Sequence, residues 1–205
     1  METPRRLEPL LSQYDFAHTR LMGRIAGPTM NSGDDEPVAV EPMTDMEYLW
    51  EPVSNCWSIR RKTDGPAASA LELVGAGDWG RDRHPDNPTP LPFPTIAWRL
   101  GHINEMLVLR TDHMVGSHSL TRATYQFHGD AAGAIAAYAR AVHAWREVLI
   151  TATEADLDAT GRSTYPYGSD PEDPLIETIW WMNQELLHHG AEIALLRDLY
   201  RAMPH

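Results

Sequence analysis

The feature that most narrows the possible folds is a stripe near the C-terminal end of the sequence. Apolar residues recur there in alternating steps of four and three: Leu175, Ile179, Met182, Leu186, His189, Ile193, Leu196 and Tyr200. Such steps average close to the 3.6-residue turn of an α-helix, so these side chains lie along one face of one long helix. His189 stands where the stripe calls for a hydrophobe, and Glu185, one turn earlier, borders it. An ionisable group on a buried stripe needs a partner, because burying it unpaired is expensive. A carboxylate and an imidazole at i and i+4 can close on a single divalent cation, as the two histidines of an H-E-x-x-H helix close on zinc.

Three further long segments share the helical period. From Pro9 to Ile25 the apolar positions are Leu10, Leu11, Tyr14, Ala17, Leu21 and Ile25, and Gly27-Pro28 ends the run. A second helix is expected from a Thr95 cap to about Arg110, burying Ile96, Leu100, Ile103 and Leu107, with Trp98, His102 and Met106 alongside. A third begins at an Asp130 cap and extends to about Ala152 through Ile135, Tyr138, Val142, Trp145 and Leu149. The stripe helix itself is expected to start from Asp173, with Pro174 at its first position, where a missing N–H costs nothing.

The connections are less informative. Thr44-Asp45-Met46-Glu47 and Thr153-Glu154-Ala155-Asp156 have the form of capped short helices. Asn31 to Pro42 reads as an acidic loop, and Cys56 to Arg60 as a brief strand. Gly65 to Pro94 reads as an irregular crossing with at most a small hairpin near Leu71 to Val74, and Gly161 to Asp173 as a loop bent at Tyr165-Pro166-Tyr167-Gly168. These segments describe an all-α chain, a four-helix bundle with long irregular connections. With 205 residues, 42% of them hydrophobic, residues 1–205 are expected to form one domain.

Composition excludes several function classes. A formal net charge of -12 argues against a phosphate-binding surface, so no nucleic-acid partner is expected. No apolar run near the N-terminus suggests a signal peptide, and no segment approaches the roughly 20 apolar residues of a membrane span. Cys56 is the only cysteine, which leaves no internal disulfide and no cysteine-rich metal site, and fits a reducing cytoplasm. Neither a Ser/His/Asp arrangement nor a phosphate-cradling glycine loop is evident.

Three segments together carry a likeness. Trp57-Ser58-Ile59, Trp98-Arg99-Leu100-Gly101-His102-Ile103 and Glu185-Leu186-Leu187-His188-His189-Gly190-Ala191-Glu192-Ile193 resemble the DinB-like (YfiT-like) metalloenzyme superfamily. That superfamily includes thiol-dependent maleylpyruvate isomerases and bacillithiol or mycothiol S-transferases, and the likeness runs from the first helix to Tyr200. It implies a four-helix bundle holding a divalent metal on three ligands. One is the histidine of a G/A-H-I segment, here His102. The others form an i,i+4 pair on the last helix, the second followed three residues later by Gln or Glu; Glu192 is that follower, so the pair is Glu185 and His189. Many members have His at the first of these positions, and the isomerase branch has Glu. DNA binding is not implied.

Taken singly, His102 and His189 read as hydrogen-bonded core histidines, and Glu185 as a solvated or capping charge. Taken together they read as a shared metal site, with His188, His18, Trp98 and Glu192 expected to support the ligands from behind or to line the pocket. Trp98, Trp145 and Trp180 read as core, Tyr165 and Tyr167 as entrance or exposed loop aromatics, and Arg99 and Arg197 as surface salt-bridge formers. His113, His118, His128 and His143 read as structural. The metal is expected to be Zn or Ni, with Mn or Fe also compatible. The expected function is a metal-dependent thiol S-transferase or thiol-dependent isomerase, with a low-molecular-weight thiol as cosubstrate and a small-molecule substrate. The alternatives are a non-catalytic metal- or ligand-binding bundle and a metal-dependent hydrolase. An exposed apolar helix face would permit a homodimer.

Overall fold

The computed structural model describes residues 3–27, 41–86 and 88–204. Among these the fold is mainly helical. In chain order the helices are α1 (Glu8–Ile25), α2 (Asp45–Tyr48), α3 (Ile96–Val115), α4 (Ala131–Thr151), α5 (Glu154–Leu157) and α6 (Leu175–Ala202). The four long ones close a ring of contacts: α1 packs on α4 and α6, and α3 packs on the same two. The stripes read from the sequence meet in the middle. Tyr14, Leu21, Leu100, Ile103, Tyr138, Trp145, Ile179 and Leu186 form one buried cluster. The buried Tyr14 hydroxyl donates to the Val142 carbonyl at 2.8 Å, satisfying a polar group that would otherwise be costly inside. No helix among the described residues is long and apolar enough to cross a membrane.

Local signals placed the starts of four helices. The side chains of Thr44, Thr95, Asp130 and Thr153 each accept a backbone N–H from the first turn of α2, α3, α4 and α5, those of Glu47, Trp98, Gly133 and Asp156. Helix α6 departs from expectation. Pro174 is its N-cap, without a side-chain cap bond, and the Asp173 carboxylate accepts from Ser169 Oγ at 2.6 Å instead. Helix α3 also runs past Arg110 to Val115. Its polar run looks like an ending, yet Arg110 and His113 are buried and partnered, and the helix stops only where Asp112 turns back to bind Ser117, Ser119 and Leu120.

The larger difference lies in the crossing between Cys56 and Pro94. It holds a three-stranded antiparallel sheet, in the order β2 (Ile59–Arg61), β4 (Trp79–Arg83), β3 (Glu72–Val74). A two-residue parallel pair joins β1 (Cys56–Trp57) to β5 (Phe93–Pro94). The chain is therefore mainly helical with small sheets, not all-α. The expected hairpin near Leu71 to Val74 is the β3–β4 pair. Strand β4 has no strand signature in the sequence because it is buried through charged residues, Arg81 and Asp82, and shows no apolar alternation. Of the expected acidic loop from Asn31 to Pro42, residues 31–40 lie outside the described residues.

Candidate metal centre

The sheet fixes the first turns of α3. The Thr95 backbone N–H donates to the Trp57 carbonyl at 2.9 Å, and the Thr95 hydroxyl donates to Ser58 Oγ at 3.0 Å. Trp98 Nε1 donates to the carbonyl of Asp82 at 3.0 Å. The Asp82 carboxylate in turn accepts from the Ser58 and Ala67 backbones and from Arg60 Nε. Gly101 leaves room for Ile59 of β2: a Cβ there would stand 3.1 Å from Ile59 Cδ1 and 3.3 Å from the Phe127 ring. The Trp57-Ser58-Ile59 and Trp98 to Ile103 segments thus form one structural unit. Its product is the position of His102, whose ring stacks on Trp98 with centroids 5.4 Å apart.

Helix α6 brings the other donors to the same place. His102 Nε2 lies 3.2 Å from Glu185 Oε2, and His189 Nε2 lies 3.4 Å from the same oxygen. All three residues offer donor atoms within 4.8 Å of one another. Adjacent donors on a tetrahedral ion with bonds of about 2.0–2.1 Å stand roughly 3.3 Å apart, so the two measured separations fit a first-row divalent cation. The donor chemistry, two imidazoles and a carboxylate, fits as well.

A second layer orients the first. His189 Nδ1 lies 2.6 Å from Glu192 Oε2, so its N–H points at a carboxylate and Nε2 is left facing Glu185. Arg99 holds that carboxylate with two bonds, Nε at 2.7 Å and a terminal nitrogen at 3.2 Å. This is the carboxylate–histidine arrangement that accompanies metal ligation. His102 and His189 respond oppositely to their settings. Burial pushes His102 below its usual value despite the Glu185 hydrogen bond. Burial also opposes charge on His189, but its hydrogen bonds to Glu185 and Glu192 outweigh it and raise the group. Hydrogen bonds from His102 and then His189 hold Glu185 well below the usual carboxylate range. Burial works against ionisation of Glu192, yet Arg99 and His189 bring it down to about 2.

Of the other residues singled out in the sequence, Glu192 and Trp98 touch the cluster directly. His188 is exposed, stacks on His189 at 4.7 Å, and reaches Glu192 at 3.5 Å. His188, His189 and Glu192 form an alternative donor group that shares His189 with the first. His18 packs against Tyr138 on α4, its ring centroid 5.8 Å from the tyrosine's, and no hydrogen bond or ring contact ties it to the cluster among the described residues. Arg99 and Arg197 are ion-paired, as expected, but they are buried rather than on the surface; Arg197 binds Glu47 at 2.6 Å. Trp145 is fully buried, whereas Trp180 is 53% exposed and does not belong to the core. Buried His113 is held by Thr164 and the Leu120 carbonyl.

A cavity of about 430 Å³ opens on His102. Tyr165 and Tyr167 line it, together with Trp180, Trp181, Arg110 and Arg122. Neither arginine has a sequence signal, since Asp170, the partner of Arg110, and Glu105 and Tyr167, the partners of Arg122, lie far along the chain. The cluster can therefore hold an ion at the wall of a space sized for a small molecule.

Compared with known families, residues 37–193 match the DinB superfamily, a stretch that includes His102, Glu185 and His189 and leaves out α1. No curated protein and no solved structure matches the chain.

Proposed function

The chain belongs to the DinB superfamily, and on that premise we propose a divalent-metal-dependent enzyme acting on a small molecule, a thiol S-transferase or a thiol-dependent isomerase built on a four-helix bundle. The observation that carries this is the convergence of His102, Glu185 and His189 from two helices beside an open cavity. Three protein ligands rather than four leave room for an exogenous one, the pattern of catalytic rather than structural sites. Such an ion, when bound, supplies Lewis-acid chemistry, lowering the pKa of a coordinated water or thiol. The chain's own residues do the positioning. Glu192 fixes the tautomer of His189, Arg99 fixes Glu192, and Trp98 covers one face of His102.

The thiol belongs to the proposal through the likeness to the isomerase branch, which carries Glu at the position of Glu185. Cys56 is not a candidate for it. Its thiol is buried, donates to the Val53 carbonyl at 3.1 Å, and is pushed up in pKa by burial. The sulfur nucleophile would be a low-molecular-weight cosubstrate, and the donor set suits Zn, Ni, Mn or Fe. The lone cysteine also favours a cytoplasmic location. The test is turnover of an electrophile panel by metal-loaded protein with and without an added low-molecular-weight thiol. Thiol-dependent turnover that stops on chelation and returns with metal is expected. Turnover without thiol would replace transfer by hydrolysis, and no turnover on any substrate would leave a binding protein.

A further inference from the structure

A second cavity, of about 380 Å³, lies between α3, α4 and residues 120–128. It shares no lining residue with the cavity beside His102. Much of its wall is apolar. Val108 and Leu120 line it with Ala137, Ala141 and Ala144, which follow one another on one face of α4 at steps of four and three. These alanines end at Cβ and so leave the groove open. The volume is in the range of small-molecule sites.

The polar part of the lining holds one cation and no Asp or Glu. Arg140, an exposed residue of α4, makes no hydrogen bond or ion pair among the described residues. The positions three and four residues to either side of it are Ala136, Ala137, His143 and Ala144, so its own helix offers it no carboxylate. The carboxylates that bear on the lining have partners of their own. Asp130 holds the Gly133 N–H at 2.7 Å, Asp112 holds the Ser117, Ser119 and Leu120 N–H groups, and Glu105 holds Arg81 at 2.6 Å. None of them pairs with Arg140. Tyr125 is 7% exposed, yet its hydroxyl has no hydrogen-bond partner among the described residues, and the Thr111 hydroxyl is buried without one. Burial and then Glu105 push the Tyr125 hydroxyl well above its usual pKa, against Arg140, so it stays a donor. Burial pushes His128 below its usual value; Asp130 opposes this and Arg140 adds to it, so His128 brings no second charge near neutrality.

We propose that this groove is a second ligand site, separate from the metal centre, and that it takes a small monoanion: one carboxylate bound by Arg140, on a compact apolar body that covers the alanine face. Arginine matches a carboxylate with paired N–H donors, and the unpartnered Tyr125 hydroxyl is a further donor on the same wall. A single cation suits a single negative charge, whereas the second charge of a dianion such as phosphate would find no partner in the lining. The apolar body replaces water on Val108, Leu120 and the alanines, which a free anion would not do. None of this requires a bound metal.

The test is a ligand-observed NMR titration of the full chain, in chelator so that a carboxylate cannot bind through metal, with cyclohexanecarboxylate, its amide, cyclohexylmethylamine and inorganic phosphate. The carboxylate is expected to bind best of the four. Arg140→Gln should weaken it roughly tenfold or more, the usual worth of a charge-assisted hydrogen bond. Arg140→Lys should recover part of the loss, and the amide should bind wild type and Arg140→Gln alike. Ala144→Leu, which fills the groove and leaves the charge, should abolish binding of both carboxylate and amide. His102→Ala should change neither. Unchanged carboxylate affinity in folded Arg140→Gln or Ala144→Leu protein overturns the proposal. So does a loss in His102→Ala, which would place the ligand in the other cavity. Tighter binding of the amine or of phosphate than of the carboxylate to the wild type also overturns it, a comparison that stands even if a variant fails to fold. Arg140-dependent binding by a chain that takes up no metal would uphold it while the metal reading fell.

Discussion

At the scale of single residues, the account turns on how His189 is held. Glu192 and Arg99 set its tautomer and aim, so Glu192→Ala should weaken metal binding by about 10–100-fold, the usual cost of losing an outer-shell carboxylate. Competition titration against a metal-sensitive dye would measure this, and an unchanged affinity would remove Glu192 from the site. Ligation also requires a neutral Nε2 on His189, and the neighbouring carboxylates raise that group's affinity for protons. Metal affinity should therefore fall as pH is lowered through the histidine range, and uptake near neutrality should release protons measurable in weakly buffered solution. A separate residue sets an acid-stability term. Burial opposes ionisation of Asp112, but hydrogen bonds from Leu120, Ser117 and Ser119 bring it down to about 2. A carboxyl depressed in the folded state stabilises above its unfolded value of about 3.9, and that contribution disappears as pH falls through the folded value. Asp112→Asn should therefore narrow the stability gap between pH 6 and pH 2 in denaturant titrations; a gap equal to that of the wild type would contradict the assignment.

At the scale of elements, helices were legible because their signals are local. The stripe period and the cap residues Thr44, Thr95, Asp130 and Thr153 each operate within a turn or two of chain. Strand β4 was not, because Arg81 and Asp82 are buried by partners distant in sequence, Glu105 for one and Ser58, Arg60 and Ala67 for the other. The candidate site divides the same way. Glu185 and His189 declared themselves by spacing, His102 needed the family likeness, and Arg122 became visible only with the cavity. Trp180 was misplaced because it follows Ile179, and a one-residue step turns a side chain about 100° around the helix. Two element-level outcomes follow. Gly190 lies mid-helix in α6, and a Cβ there would meet Leu21 no closer than 3.8 Å. Gly190→Ala should stabilise by about 0.5–1 kcal/mol, read as a higher urea midpoint, and destabilisation would mean that α1 and α6 pack closer than described. Arg197 ties α6 to α2 through Glu47, both groups being buried. Glu47→Ala, which strands the guanidinium, should cost about 3–5 kcal/mol in the same assay.

At the scale of the whole molecule, the proposed ion would cross-link α3 to α6, which already pack together through their apolar faces. Binding to the folded state alone stabilises it by mass action, about 4 kcal/mol when metal stands at a thousand times its dissociation constant. Thermal unfolding should move upward with added metal in the wild type and stay put in His102→Ala. The most direct measurement of the central claim is elemental analysis of protein purified without a nickel column, comparing wild type with His102→Ala, Glu185→Ala and His189→Ala. The account predicts close to one divalent ion per wild-type chain and loss of that ion in each variant. Folded wild-type protein that carries no metal and takes up none when it is offered would contradict it.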